Sequence, residues 1–124
     1  MKVLIRLGML CLLVLSFSFK SVDEIALAIK NADANQVAKF FDNTVEITLY
    51  DKNKSYSKSQ AELVLRDFFT TNVVKDFEVM HKGDNAGSEF CIGNLQTKNG
   101  VFRTTIFLKQ KTDRFFIQEL RFEK

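Results

Sequence analysis

Residues 90–108, Phe90-Cys91-Ile92-Gly93-Asn94-Leu95-Gln96-Thr97-Lys98-Asn99-Gly100-Val101-Phe102-Arg103-Thr104-Thr105-Ile106-Phe107-Leu108, read as two alternating strands about one turn. Asn99-Gly100 marks the turn, because both residue types tolerate the positive φ that tight hairpins demand. Closure on those two residues pairs Lys98 with Val101, Leu95 with Thr104 and Gly93 with Ile106. One face then carries Cys91, Gly93, Leu95, Phe102, Ile106 and Leu108, the expected core side. The other carries Phe90, Ile92, Val101 and Phe107 among Asn94, Gln96, Arg103 and Thr105. Four large apolar groups are more than a solvated sheet face normally shows. They predict a homodimer through that outer face.

Working outward, the strand period continues on both sides, over about 73–82 and 115–123. With 88–98 and 101–109 this makes a four-stranded meander. Upstream, Val45, Ile47 and Leu49 alternate with Thr44, Glu46, Thr48 and Tyr50, a half-buried strand. Asp51-Lys52-Asn53-Lys54 turns the chain into a brief second strand over 55–57. Helical spacing appears three times, each time behind a capping signal. Ser21-Val22-Asp23-Glu24 precedes a stripe of Val22, Ile25, Ile29 and Ala32. Asp33-Ala34-Asn35-Gln36 precedes Ala34, Val37, Ala38 and Phe41. Ser59-Gln60-Ala61-Glu62 precedes Ala61, Val64, Leu65 and Phe68. The order is helix pair, small hairpin, helix, meander, which is an α+β arrangement.

The N-terminus has a different character. Lys2 and Arg6 stand ahead of an apolar run, Leu7 to Phe17, that ends in Ser16-Phe17-Ser18. A basic start, a short apolar centre and small residues before a cut describe a secretory signal peptide, residues 1–18. The run falls short of the roughly 20 residues a spanning helix needs. Cleavage near Ser18 leaves a single domain over 19–124, exported to the periplasm or the extracellular space. Its only membrane association would be through the leader. Leu10 is too large for the position before a lipidated cysteine, so Cys11 is not read as a lipid anchor. Retention of the leader as a tether is the other outcome.

Composition narrows the function classes. The formal charge of +3 drops to +1 when Lys2 and Arg6 leave with the signal. A near-neutral chain lacks the concentrated basic surface that nucleic-acid binding requires. Of thirteen phenylalanines only Phe17 lies in the leader, so a small domain retains large buried area per residue. Cys91 remains alone, which excludes an internal disulfide. In a strand beside Phe90 and Ile92 it reads as a small buried hydrophobe. One histidine, one cysteine and scattered carboxylates give no zinc spacing, and the glycines match no phosphate-binding loop. No metal or cofactor is expected.

Only His81 offers acid–base chemistry near neutrality. Strand alternation places it with Phe77 and Val79, on the inward face. A following loop of odd length would set Val79 opposite Cys91 and His81 opposite Glu89; an even loop breaks that pairing. His81 and Glu89 are therefore the candidate catalytic pair, and Phe77, Val79 and His81 the candidate ligand-binding residues. A histidine hydrogen-bonded at a strand end is the alternative. Arg103, Glu119 and Arg121 form either a polar recognition patch or ordinary cross-strand charges.

The element order from Ser21 to Glu123 resembles the nuclear transport factor 2-like superfamily. So does the closing run Gly100-Val101-Phe102-Arg103 through Phe115-Phe116-Ile117-Gln118-Glu119-Leu120-Arg121-Phe122. Within that superfamily, His81-Lys82-Gly83, Ile92-Gly93-Asn94-Leu95 and Asn99-Gly100-Val101-Phe102-Arg103 are similar to a small exported bacterial family of unknown function. The resemblance implies a strongly bent antiparallel sheet, meander plus hairpin, wrapped around three helices into a cone. Relatives include isomerases, dehydratases and cyclases as well as non-catalytic binding modules, so the fold implies no reaction by itself. Isomerases of this kind use a tyrosine as oxyanion donor, and residues 21–41 contain none. The leading expectation is a non-catalytic domain that binds a small apolar or amphipathic ligand or a protein partner. An enzyme using His81 with Glu89, and a purely structural envelope module, are the alternatives.

Overall fold

The computed structural model describes residues 21–124. The signal peptide expected over residues 1–18 and the cleavage point before Phe19 lie outside the described residues.

Helix α1 (Ser21–Lys30) buries Val22, Ile25, Ala28 and Ile29, one stripe at helical spacing. It ends in a tight reversal. Asp33 N–H donates to the Ala28 carbonyl at 2.8 Å and Ala32 N–H to the Ile29 carbonyl at 2.9 Å, with Ala32 at φ 53°. This is a Schellman closure, with alanine where glycine usually stands. Asp33 then starts α2 (Ala34–Ala38), its carboxylate accepting from Gln36 N–H at 3.1 Å. One residue thus joins the two caps and fixes the bend between the helices.

Strand β1 (Phe41–Leu49) begins earlier than the alternation suggested. Phe41, expected on the second helix's stripe, is its first residue and pairs with Ile117. Tyr50, at φ 62°, and Asp51 turn the chain into β2 (Lys52–Ser57). Helix α3 (Lys58–Thr71) is capped by Ser57, whose hydroxyl accepts from Gln60 N–H at 3.4 Å. The cap stands two residues before the Ser59 of the expected motif, and Gln60 supplies its third-position partner.

The chain then crosses to the far edge of the sheet and returns as a meander: β3 (Val74–Asn85), β4 (Ser88–Thr97), β5 (Gly100–Lys111) and β6 (Arg114–Glu123). The six strands lie in the order β2-β1-β6-β5-β4-β3, an open, curved sheet with the helices on its concave side. All neighbours are antiparallel except β1 and β6, which run parallel and join the hairpin to the meander. That junction departs from the purely antiparallel sheet expected. Helix α3 carries the chain to the far edge, so the meander comes back with its last strand aligned with β1. Irregularities in register between β1 and β6, between β5 and β6, and between β3 and β4 add the local bends a cone requires.

The β4–β5 turn lies one residue earlier in the chain than the sequence suggested. Thr97 pairs with Gly100, Leu95 with Phe102, Gly93 with Thr104 and Cys91 with Ile106. Lys98 and Asn99 form the turn, and Gly100 carries the positive φ of 108°. Each residue's partner moves by two positions, which leaves its face unchanged. Cys91, Leu95, Phe102, Ile106 and Leu108 are accordingly all fully buried.

Candidate functional site

The inner face of the curled sheet is occupied by the protein's own side chains. Phe41, Phe102, Phe122, Leu65, Ile106 and Leu120 are at most 1% exposed. Phe68 on α3 stacks on Phe122 with centroids 4.4 Å apart and meets Phe102 edge-on at 5.1 Å. At the open end, between α1 and the β3–β4 hairpin, Val22, Lys82, Gly83, Asp84 and Glu89 border a hollow of about 30 Å³. That is room for a single water. Larger hollows lie outside the cone. One of about 410 Å³ runs between the α1–α2 bend and α3, and one of about 300 Å³ between α1 and α2. A third, about 440 Å³, sits on the outer face beside Phe107, Gln118 and Glu119.

The β3–β4 register decides where the candidate residues fall. The loop is an even, two-residue turn, Ala86-Gly87, so Asn85 pairs with Ser88, Asp84 with Glu89 and His81 with Ile92. His81 therefore shares the outer face with Ile92 and is exposed. Glu89, 8% exposed, points inward with Cys91. The expected His81–Glu89 pairing is not made; the two residues lie on opposite faces of the sheet. One step along, Met80 is an extra residue, and beyond this bulge Val79 pairs with Gly93 and Phe77 with Leu95. Phe77 is buried in the core at 6% exposure, whereas Val79 remains 37% exposed. Phe77, Val79 and His81 thus do not line a common space.

Cys91 is fully buried, and burial pushes its thiol up to about 11, against the lowering influence of Lys82. Lys82 instead reaches Asp23 on α1 at 2.8 Å, tying the helix to the strand edge. A cluster that sequence reasoning missed surrounds Asp42. This carboxylate is 8% exposed and accepts from Asn43 N–H at 2.7 Å, from Lys111 Nζ at 2.7 Å and from Gln118 Nε2. Burial raises its pKa, but those hydrogen bonds and the Lys111 charge outweigh it, and the net shift is downward. The partners lie 69 and 76 residues away in sequence, so no local spacing announces them. Among the described residues no group of histidine, cysteine and carboxylate side chains is arranged to hold a metal.

The outer face is where large apolar groups meet water. Phe90 and Phe107 are direct partners across β4 and β5, each 39% exposed. Val101 and Met80 are each 52% exposed. Of the charges the sequence singled out, Glu119 and Arg121 pair with each other along β6 through a charge-assisted hydrogen bond, and Arg103 stands opposite Glu123 on the neighbouring strand.

Helices inside a curled, open sheet with this strand order define a nuclear transport factor 2-like cone. The similar solved protein Rd1NTF2_04 with long sheet has a TM-score of 0.66 at 21% identity, covering 82% of this chain and 94% of that one. More particularly, residues 22–123 match a domain of unknown function, DUF4783, and the chain belongs to that family. A DUF4783 protein from Bacteroides ovatus is similar at 29% identity and a TM-score of 0.81, covering 86% of this chain and 94% of its own. Another, from Bacteroides uniformis, is similar at 28% identity and a TM-score of 0.82, covering 85% and 97%. No curated protein matches the sequence.

Proposed function

We propose that the protein is an exported, non-catalytic binding module that works through the outer face of its sheet, where a second copy of the same chain seats. The observation that carries this reading is the side-by-side pair Phe90 and Phe107, left 39% exposed on strands whose other face is closed. The two rings, with Ile92 next along the same face of β4, form an apolar patch, a feature soluble monomers keep small. Val101 and Met80 add exposed apolar surface to the same sheet. Four strands about 4.8 Å apart and about 33 Å long give a footprint of about 600 Å², near the roughly 800 Å² per partner of a stable interface. Charges of both signs, Glu78, Arg103, Glu119 and Arg121, surround the patch. A two-fold axis can bring such a surface onto itself with opposite charges in contact.

Sedimentation of the purified protein tests this directly. A dimer is expected at micromolar concentration. Phe107→Lys combined with Phe90→Glu, which leaves opposite charges across the strand pair, should give a folded monomer, since neither ring belongs to the core. A wild-type protein that stays monomeric at high concentration would remove the proposal. Export is read separately, from the mass of the mature protein recovered from its host, with a first residue near Phe19 expected.

A further inference from the structure

We propose that Asn99 is a site of spontaneous covalent modification, losing its side-chain amide through a cyclic imide with Gly100, and that its contacts to the end of α3 set the rate. Asn99 is the one asparagine of the sequence that precedes a glycine. It lies exposed at the tip of the β4–β5 hairpin, where its Nδ2 donates to the Thr71 carbonyl at 3.0 Å and to Asn72 Oδ1 at 2.9 Å. Asn72 is 2% exposed, and its own Nδ2 donates to the Phe68 carbonyl at 3.1 Å, which fixes its oxygen towards Asn99. Lys124 Nζ holds the Asn99 carbonyl at 2.6 Å, and Thr97 Oγ1 accepts from Asn99 N–H at 3.1 Å. The hairpin tip is therefore latched onto the C-terminus of α3 by this carboxamide, beside the backbone bond that Lys98 N–H donates to the Val73 carbonyl at 3.0 Å.

The chemistry needs only water. The Gly100 nitrogen gives up its proton to solvent and attacks Cγ of Asn99. The Cγ–Nδ2 bond breaks, and the nitrogen leaves as ammonia, protonated from solvent. Water then adds to one of the two imide carbonyls and opens the ring to aspartate or isoaspartate. Gly100 offers no Cβ to shield its nitrogen. While the latch is closed, the carboxamide is tied to α3 and cannot swing towards that nitrogen, so local opening gates the step. The product cannot close the latch again. A carboxylate at this position would face two acceptors, the Thr71 carbonyl and Asn72 Oδ1, where the amide presented donors. The reaction thus removes the side-chain clasp irreversibly and leaves the tip held by backbone pairing, Lys98 N–H to the Val73 carbonyl among it. It does not depend on the dimer proposed above.

The test is incubation of the purified protein in warm, mildly alkaline buffer, followed by digestion and mass mapping. The expected result is replacement of NH2 by OH at Asn99 ahead of Asn31, Asn53 and Asn85, with several-fold acceleration in Asn72→Ala. Conversion elsewhere while Asn99 stays intact would overturn the proposal, as would an unchanged rate in a folded Asn72→Ala. A second comparison holds even if that variant fails to fold. Asn99→Asp should melt below Asn99→Ala, because it adds repulsion to the loss of the clasp. Equal midpoints would refute the one-way loss of the clasp.

Discussion

Gly93 and Phe77 share one volume across the β3–β4 pair. A Cβ on Gly93 would stand 2.7 Å from the Phe77 ring and 2.6 Å from the carbonyl oxygen of Glu78. The ring reaches that space because the Met80 bulge brings Phe77 back to the inner face one step from Gly93. Gly93→Ala is therefore expected to destabilise the fold by about 1–3 kcal/mol, the usual cost of overpacking. Trimming the ring in Gly93→Ala/Phe77→Leu should restore only part, since the backbone carbonyl still blocks the methyl. Chemical denaturation measures both. A full recovery in the double variant would show that the ring alone is the obstacle.

Cys91 should be chemically silent in the folded protein. Its thiol is pushed up to about 11 by burial, and it is fully covered by core side chains. Thiolate, the reactive form, is scarce at neutral pH under those conditions. A thiol reagent should label the native protein only at the rate at which it opens, and label it at once in denaturant. Rapid labelling of native protein at pH 7 would contradict that burial.

Much of the architecture was legible because the periods were strong. Alternation along 91–97 and 101–108 sorts the two faces correctly, although the turn lies one residue earlier than closure on Asn99-Gly100 implies. A shift of two in partner number preserves side-chain parity, so the face assignment survives the difference in register. His81 shows the opposite case. Its face depends on loop parity and on whether Val79-Met80-His81 contains a bulge, and neither residue type nor spacing marks Met80 as the extra residue. The parallel β1–β6 junction is equally silent, because it joins segments about 70 residues apart through no local signal. Of the candidate site, the sequence supplied residues that the β3–β4 register keeps apart, because the pairing that would join His81 to Glu89 is set by contacts it does not encode locally. It missed the Asp42 cluster for the same reason.

The bend between α1 and α2 offers a stabilising substitution. Ala32 sits at φ 53° in the Schellman closure, a conformation that costs an L residue about 1–2 kcal/mol. Ala32→Gly removes that strain, but loses part of the gain to the greater freedom of the unfolded chain. A net gain of about 0.5–1 kcal/mol is expected, read as a higher denaturation midpoint with an unchanged denaturant slope. Ala32→Val should act in the opposite direction, since a branched side chain at positive φ is more strained than alanine.

Acid sensitivity should centre on Asp42. Burial alone would raise the pKa of this carboxyl. The hydrogen bonds from Lys111, Asn43 N–H and Gln118, together with the Lys111 charge, carry it below its ordinary value instead. A carboxyl with a depressed folded-state pKa contributes stability that is fully present above its unfolded value, near pH 4. That contribution is lost as pH falls through the folded-state value, because protonation then releases Lys111 from its partner. Asp42→Asn should cost about 1.5–3 kcal/mol at neutral pH, the range for hydrogen bonds to a charged group. Below pH 4 the difference from wild type should shrink, as the wild-type carboxyl becomes neutral too. Denaturation midpoints collected from neutral pH down to about pH 3 would show the two curves converging. Parallel curves over that range would mean that another carboxylate governs the acid transition and that the Asp42–Lys111 contact adds little to the fold.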